Sequence, residues 1–445
     1  MNLADPRPTA RLQRALHSAR TVAELGRIVQ AAGTVLRATG LYARIGQQCE
    51  VFDPAQTDGA TTLSAEVIGF SGSETMLAPY GPLRQLPVGA AVRALADDAS
   101  VPAGESVLGR VVDAFGRPLD GAPLPESGVR PNPLHAPAPS PLARRPIASP
   151  FPTGVRAIDS SLTVGEGQRV GIFSMAGGGK STLLGMLARH ARADVNVIAL
   201  VGERGREVRE FLDDCLGETG LARSVVVVST SDRPALERVR AAYAATAIAE
   251  GFRRKGRRVL LLVDSVTRFA RGLRELGLSA LEPPVRRGYP PSVFAELPRL
   301  FERAGNDAVG SITAFYTVLV EDDDQGDPVA EEVRSILDGH IVLSRDLVQA
   351  HHYPAIDVLA SVSRVFTRVA SRQHQDSAGA LRELLNAYRE VEFLLRIGEY
   401  QPGGPNRAAD RAIERIDALR AFLRQRVDEA SDFDATVARL AQIVQ

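Results

Sequence analysis

The chain has 445 residues, 44% of them hydrophobic and 24% charged, with 53 basic and 53 acidic side chains. This composition suits two or three packed cores and excludes disordered chains, and the balanced charge excludes a broad basic surface for nucleic acid or anionic membrane. No apolar run approaches the roughly 18 residues of a spanning helix, and Cys49 and Cys215 are too few for a disulfide framework or a thiolate metal site. A cytosolic protein is expected.

Residues 1–95 read as a leading helix followed by a small β-barrel. The first residues lack the apolar core of a secretory signal. Short strands at Gly26–Val29, Val35–Arg37, Ala43–Ile45 and Ser64–Phe70, separated by glycine turns, have barrel spacing. Tyr42, Phe52, Phe70 and Tyr80 are expected in the barrel core. Residues 96–153 carry ten prolines between Pro123 and Pro152 and read as a crossover draped over the surface.

From 154 to 365 the pattern changes. Apolar runs at Arg169–Phe173, Val195–Val201, Val225–Val228, Val259–Val263 and Ser311–Val318 alternate with helical stretches, the rhythm of a buried parallel sheet covered by helices on both faces. Residues 366–445 read as helices. Leu381, Leu384, Leu385, Tyr388, Val391, Leu394 and Leu395 keep helical spacing, and so do Ile413, Ile416, Leu419, Leu423 and Val427. The expected fold is therefore an α/β chain: a small N-terminal β-barrel, a central parallel-sheet domain and a C-terminal helical domain.

A strand, Val170–Phe173, runs into Ser174-Met175-Ala176-Gly177-Gly178-Gly179-Lys180-Ser181, and Thr182 enters a helix. That is a P-loop in its proper context. Gly177, Gly178 and Gly179 let backbone N–H groups turn around phosphate oxygens, Lys180 reaches the β- and γ-phosphates, and Ser181 can ligate Mg²⁺. Ser174 stands where the strict pattern has Gly, at a position read as a tight turn. The chain has only two lysines, Lys180 and Lys255, among its 53 basic residues. A lysine kept against such an arginine bias marks a need for a compact ammonium. The strand Arg257–Asp264 ends in an acid of Walker B form, and Asp264 would hold the metal. Glu203 and Arg204 follow the strand after the P-loop helix. From spacing alone they read equally as a general base with a charge stabiliser or as a solvated charged turn.

The motifs Gly109–Gly121, Thr153–Asp159 and Pro354-Ala355-Ile356-Asp357 with Ser361-Val362-Ser363-Arg364 resemble the rotary-type ATPases, the catalytic subunits of ATP synthases and their export relatives. Pro152–Asp159, Gly165–Phe173, Arg287–Phe294 and Val333–Ile341 are most similar to the cytoplasmic ATPases of type III secretion systems. The resemblance implies that Glu203 is the catalytic glutamate and that Arg204 and Arg303 lie near the γ-phosphate. It implies that Arg364 is an arginine finger reaching a neighbouring subunit, that Tyr353 packs on adenine, and that Asp323–Pro328 faces a central hole. It further implies ATP and Mg²⁺ as cofactors and a homohexamer at the cytoplasmic face of the inner membrane. Its expected partners are a central stalk, stator proteins and chaperone–cargo complexes. A flagellar export ATPase and an ATP synthase β subunit are the nearest alternatives. A ring-shaped RNA translocase is a rival of another class, disfavoured because residues 1–100 hold nine Arg against nine Asp and Glu.

Overall fold

The computed structural model describes residues 24–55, 62–83, 86–95, 99–125, 130–320, 326–404 and 406–445. The expected leading helix and the acidic residues Asp323 and Asp324 lie outside the described residues. The chain divides into two compact units, residues 1–98 and 99–445.

The first unit holds strands β1 (Gly26–Ala32), β2 (Val35–Thr39), β3 (Gln48–Phe52), β4 (Leu63–Ser71), β5 (Glu74–Pro79) and β6 (Ala91–Ala94). They close into a barrel in the order β1-β2-β5-β4-β3-β6, and closure leaves no unpaired edge. Alternate residues point inward, so Leu36, Ala38, Cys49, Val51, Ala65, Val67, Leu77 and Val92 form its core. Two expectations need correction. Ala43–Ile45 is not a strand: Gly46 takes a φ of 82°, Arg44 N–H donates to Gln47 Oε1 at 2.9 Å, and the chain reverses into β3. The aromatics do not fill the core either. Tyr80 is buried, but Tyr42 and Phe70 are exposed, because so narrow a barrel is filled by aliphatic side chains.

The second unit is built on one sheet. Its strands are β7 (Ser100–Ala103), β8 (Val111–Val112), β9 (Arg130–Pro133), β10 (Arg169–Ser174), β11 (Val195–Glu203), β12 (Ser224–Thr230), β13 (Arg258–Asp264), β14 (Gly305–Asn306), β15 (Ser311–Leu319), β16 (Gly339–Leu343) and β17 (Ile356–Ser363). The main sheet runs β17-β16-β10-β15-β13-β11-β12-β8, with β14 added on β15, while β7 and β9 pair apart from it. Pairing is parallel from β16 to β8, and β17 joins β16 antiparallel.

Alternation along the central strands splits two cores. Val195, Val197, Ala199 and Val201 of β11 face one side with Val259, Leu261 and Val263 of β13. Ile198, Leu200, Leu260 and Leu262 face the other. The first face is covered by α3 (Ala235–Arg253), α4 (Val266–Ser279) and α5 (Pro291–Phe301). The second is covered by α1 (Arg156–Ser161), α2 (Lys180–His190) and the C-terminal helices α6 (Arg372–Arg396), α7 (Arg407–Leu423) and α8 (Phe433–Val444). Among the described residues no helix is long and apolar enough to cross a membrane.

The proline-rich crossover is more than a surface strap. Val101, Val107, Val112, Ala114 and Leu134 are buried in the first core, and β8 is an edge strand of the main sheet. Prolines supply no N–H, so carbonyls along this stretch need outside donors. Arginines of the core provide them: Arg240 donates to Ala114 O at 3.1 Å, Arg303 to Leu134 O at 2.6 Å, and Arg144 to Ala304 O at 2.7 Å in return.

In the C-terminal segment Leu381, Leu384, Val391, Ile416, Leu419 and Leu423 are buried as their spacing predicts. Val427 lies past the end of α7, so the periodic reading overruns that helix, while Leu394 lies inside α6 but on its exposed face. The third helix, α8, seats Leu440 and Val444 in the second core.

Candidate functional site

The strand order creates the site. β10 sits between β16 and β15, and β15 separates it from β13 and β11. The loop after β10 therefore faces the carboxyl ends of three parallel strands, where open α/β sheets bind ligands. Ser174 is still in β10, and Val320 N–H donates to its carbonyl at 3.0 Å. This corrects the tight-turn reading: an extended strand residue has no need of glycine. The turn comes later. Gly178 N–H closes on Met175 O at 3.1 Å, and Gly179 takes a φ of 80° as it opens α2. That left-handed conformation strains any residue with a Cβ. Gly177 has the same φ sign, with open space where a Cβ would stand. The free N–H groups at the start of α2 and its dipole make an anion cradle. Ser181 and Thr182 lie in the first turn, Ser181 exposed.

Lys180 leans over the strand ends. Its Nζ donates to Asp264 Oδ1 at 2.5 Å and to Glu203 Oε1 at 3.1 Å. Both carboxylates are buried, with side chains 4% and 8% exposed. Thr317 of β15 donates its hydroxyl to the same Asp264 oxygen at 2.8 Å. Burial raises the Asp264 carboxyl above its usual range, opposed by the Lys180 charge and reinforced by the Glu203 charge. Burial pulls the Lys180 ammonium down, but Asp264 and Glu203 together hold it above its ordinary value. Gly202 carries a φ of 69° and a break in register at the end of β11, which turns Glu203 toward the lysine.

The other candidates separate. The Tyr353 ring lies against the loop, its Cε1 3.7 Å from the place a Cβ on Gly179 would take. Arg204 caps the Gly205–Glu210 helix in solvent, 72% exposed, with Glu207 at 3.4 Å. Arg303 is not at the site. It is buried with Glu250, Nη2 to Oε2 at 2.8 Å and Nε to Oε1 at 2.9 Å. It precedes β15, and Glu250 lies near the end of α3 before β13, so the pair sits at the amino edge of the sheet. Its reading as a γ-phosphate contact is corrected: a buried carboxylate consumes the guanidinium.

Arg364 is also at the amino edge. It directly follows β17, which ends at Ser363, and Arg364 N–H donates to Asp338 O at 3.0 Å, while Asp338 N–H donates to Arg169 O. Five residue steps of β10 at about 3.3 Å separate that edge from the phosphate loop, roughly 16 Å. The exposed guanidinium donates to Arg334 O at 3.1 Å.

Sequence reasoning missed Thr317 and Arg268. A threonine near the end of an apolar strand carries no signal. Arg268, in the first turn of α4, carries none either, because it meets Gly202 only through the fold. Its Cβ packs 3.1 Å from the Cβ position of Gly202, and its buried Nε has no protein partner.

The model of the ATP synthase alpha/beta family nucleotide-binding domain matches residues 154–363, and that of the T3SS EscN ATPase C-terminal domain matches residues 370–442. The Type 3 secretion system ATPase of Xanthomonas euvesicatoria is 53% identical over 97% of both chains. The flagellum-specific ATP synthase of Bacillus subtilis is 48% identical over 94% of both. Among solved structures, the assembled ATPase EscN from the type III secretion system of enteropathogenic E. coli superposes with a TM-score of 0.88 at 45% identity, covering 94% of this chain and all of that one. The same ATPase in complex with its central stalk EscO gives 0.86 over the same coverage.

Proposed function

The chain belongs to the type III secretion system ATPases of the ATP synthase alpha/beta family and is an ATP-hydrolysing export enzyme; from that premise we propose how its residues divide the work. The observation that carries the reading is the meeting of Lys180, Glu203 and Asp264 over the phosphate loop. Gly177, Gly178, Gly179 and the start of α2 cradle the β- and γ-phosphates, and Lys180 exchanges a carboxylate for a phosphate oxygen. Tyr353 packs on the base. Ser181 and Asp264 fit Mg²⁺, since a hydroxyl and a carboxylate leave its other positions to phosphate and water. Bound Mg²⁺ would spread charge over the two phosphates.

Glu203 accepts the proton of the attacking water. The water oxygen bonds to the γ-phosphorus as the bond to the bridging oxygen breaks, leaving ADP and phosphate. Arg204 and the Arg364 of a neighbouring copy neutralise charge that grows in the transition state. The roughly 16 Å between Arg364 and the loop of its own chain favours such sharing, and so does the likeness to an assembled relative.

The ring this implies is a homohexamer built on the barrel, turning ATP hydrolysis into release of chaperones and unfolding of cargo. A central stalk threads it, stator proteins hold it, and it docks at the cytoplasmic face of the inner membrane. Mixing Glu203→Ala with Arg364→Ala chains tests the shared site. Each is inactive alone, and about a quarter of interfaces in a random head-to-tail ring regain both groups. Full activity in a demonstrated monomer, lost on Arg364→Ala, would refute it.

A further inference from the structure

The loop joining α7 to α8 buries one side chain that ties three distant segments together. Gln425 is 4% exposed. Its backbone N–H donates to Tyr353 O at 2.9 Å. Its Nε2 donates to Gly154 O and to Glu429 O, both at 2.7 Å, and its Oε1 accepts from Arg156 N–H at 2.8 Å. Two carbonyls on one side and an N–H on the other fix the amide orientation, because a flip would set oxygen against both carbonyls.

The groups around it are locked in turn. The Arg156 guanidinium donates to Phe422 O at 2.8 Å, and also to Arg424 O and the Glu429 carboxylate. Asp159 accepts from Gly154 N–H and Thr153 N–H, each at 2.9 Å. Gly154 stands so close to the end of α2 that a Cβ there would lie 2.5 Å from His190 Cβ. His190 Nε2 meets Val427 O at 3.0 Å, back in the same loop. The far end of the phosphate helix, the lead-in to β10, the α7–α8 loop and the Tyr353 backbone are therefore one bonded unit.

We infer that Gln425 is a positioning residue for nucleotide binding: anchored in this unit, it holds Tyr353 beside Gly179, so that the C-terminal helices set the affinity for the base. This rests on the base-packing role proposed above for Tyr353. The backbone donor to Tyr353 survives any substitution at 425, but the side-chain anchors that aim it do not. Loss of the anchor should weaken the contact made by the Tyr353 ring and spare the phosphate contacts of Lys180.

The test uses the full-length enzyme and the variants Gln425→Met, Tyr353→Ala and their combination, with inorganic tripolyphosphate as a competitive inhibitor that has no base. Gln425→Met should raise KM for ATP about five- to twenty-fold, within the range a base–aromatic stack contributes, with kcat within about two-fold and tripolyphosphate inhibition unchanged. The double variant should be no worse than Tyr353→Ala, since both act through one contact. Should Gln425→Met fail to fold, Gln425→Asn, one methylene shorter, is read in the same way. ATP and tripolyphosphate weakening together, or losses that multiply in the double variant, would overturn the inference. If Tyr353→Ala alone leaves KM unchanged, the base-packing role falls and this inference with it. If Tyr353→Ala weakens ATP and Gln425→Met does not, only the inference falls.

Discussion

Replacing Lys180 by alanine should do more than stop hydrolysis: it should destabilise the nucleotide-free protein, and more so as pH rises. The ammonium lies 2.5 Å from Asp264 and 3.1 Å from Glu203. Without it two buried carboxylates face each other with no cation between them. Removing one partner of a buried pair costs about 3–5 kcal/mol, and 1 kcal/mol moves Tm by about 1.4 °C in a unit of residues 99–445, so a fall of about 4–7 °C is expected at pH 8. The pH dependence follows from Asp264. Burial already holds its folded pKa above the unfolded value of 3.8, and the Lys180 charge is the strongest influence opposing that rise. A group raised in the folded state costs nothing below its unfolded pKa. The cost grows as pH climbs from there toward the folded pKa. Losing Lys180 lifts that upper limit, so the variant should approach the parent near pH 4.5 and diverge by pH 8. Thermal unfolding without nucleotide, read by circular dichroism at both pH values, measures this. Equal Tm differences at the two pH values, or none at pH 8, would show that the three groups do not share one charge balance. Glu203→Gln in the Lys180→Ala background should restore part of the loss.

Glu203→Gln alone should keep ATP bound and lower kcat by about 10²–10⁴, as expected of a general base; equilibrium binding and steady-state rates separate the two, and loss of affinity equal to that of Lys180→Ala would argue against the role. Arg364→Ala should leave binding intact and cut kcat by about 10³–10⁵, and the parent's specific activity should rise with concentration, which a dilution series checks. Arg303→Ala should leave the KM for ATP unchanged yet cost about 3–5 kcal/mol by stranding Glu250, so unfolding in urea moves while kinetics at low temperature do not. Residues 99–445 expressed alone should fold and bind ATP but sediment as monomer with low activity; hexamers at micromolar concentration would remove the collar role of the barrel.

The sequence by itself determined the chemistry carried by contiguous residues. Gly177 to Ser181 between a strand and a helix, an acid ending the strand at Asp264, and the barrel and sheet rhythms are all local signals, because glycine torsions and side-chain alternation act within a few residues. The family motifs added Glu203, which spacing had left open. Other features were settled only when distant segments met. Arg303 reads as a site residue until Glu250, fifty-three positions away, closes on it. Ala43–Ile45 reads as a strand until Gly46 turns the chain. Val427 and Leu394 keep helical spacing that solvent or a loop interrupts. Thr317, Arg268 and Gln425 carry no pattern at all, since their neighbours come from strand order and from a loop that folds back across more than two hundred residues to Gly154. Periodicity reports which face of an element is apolar. Which elements stand side by side is set by the packing of whole sheets and helices, and that decides which polar groups end up within bonding distance.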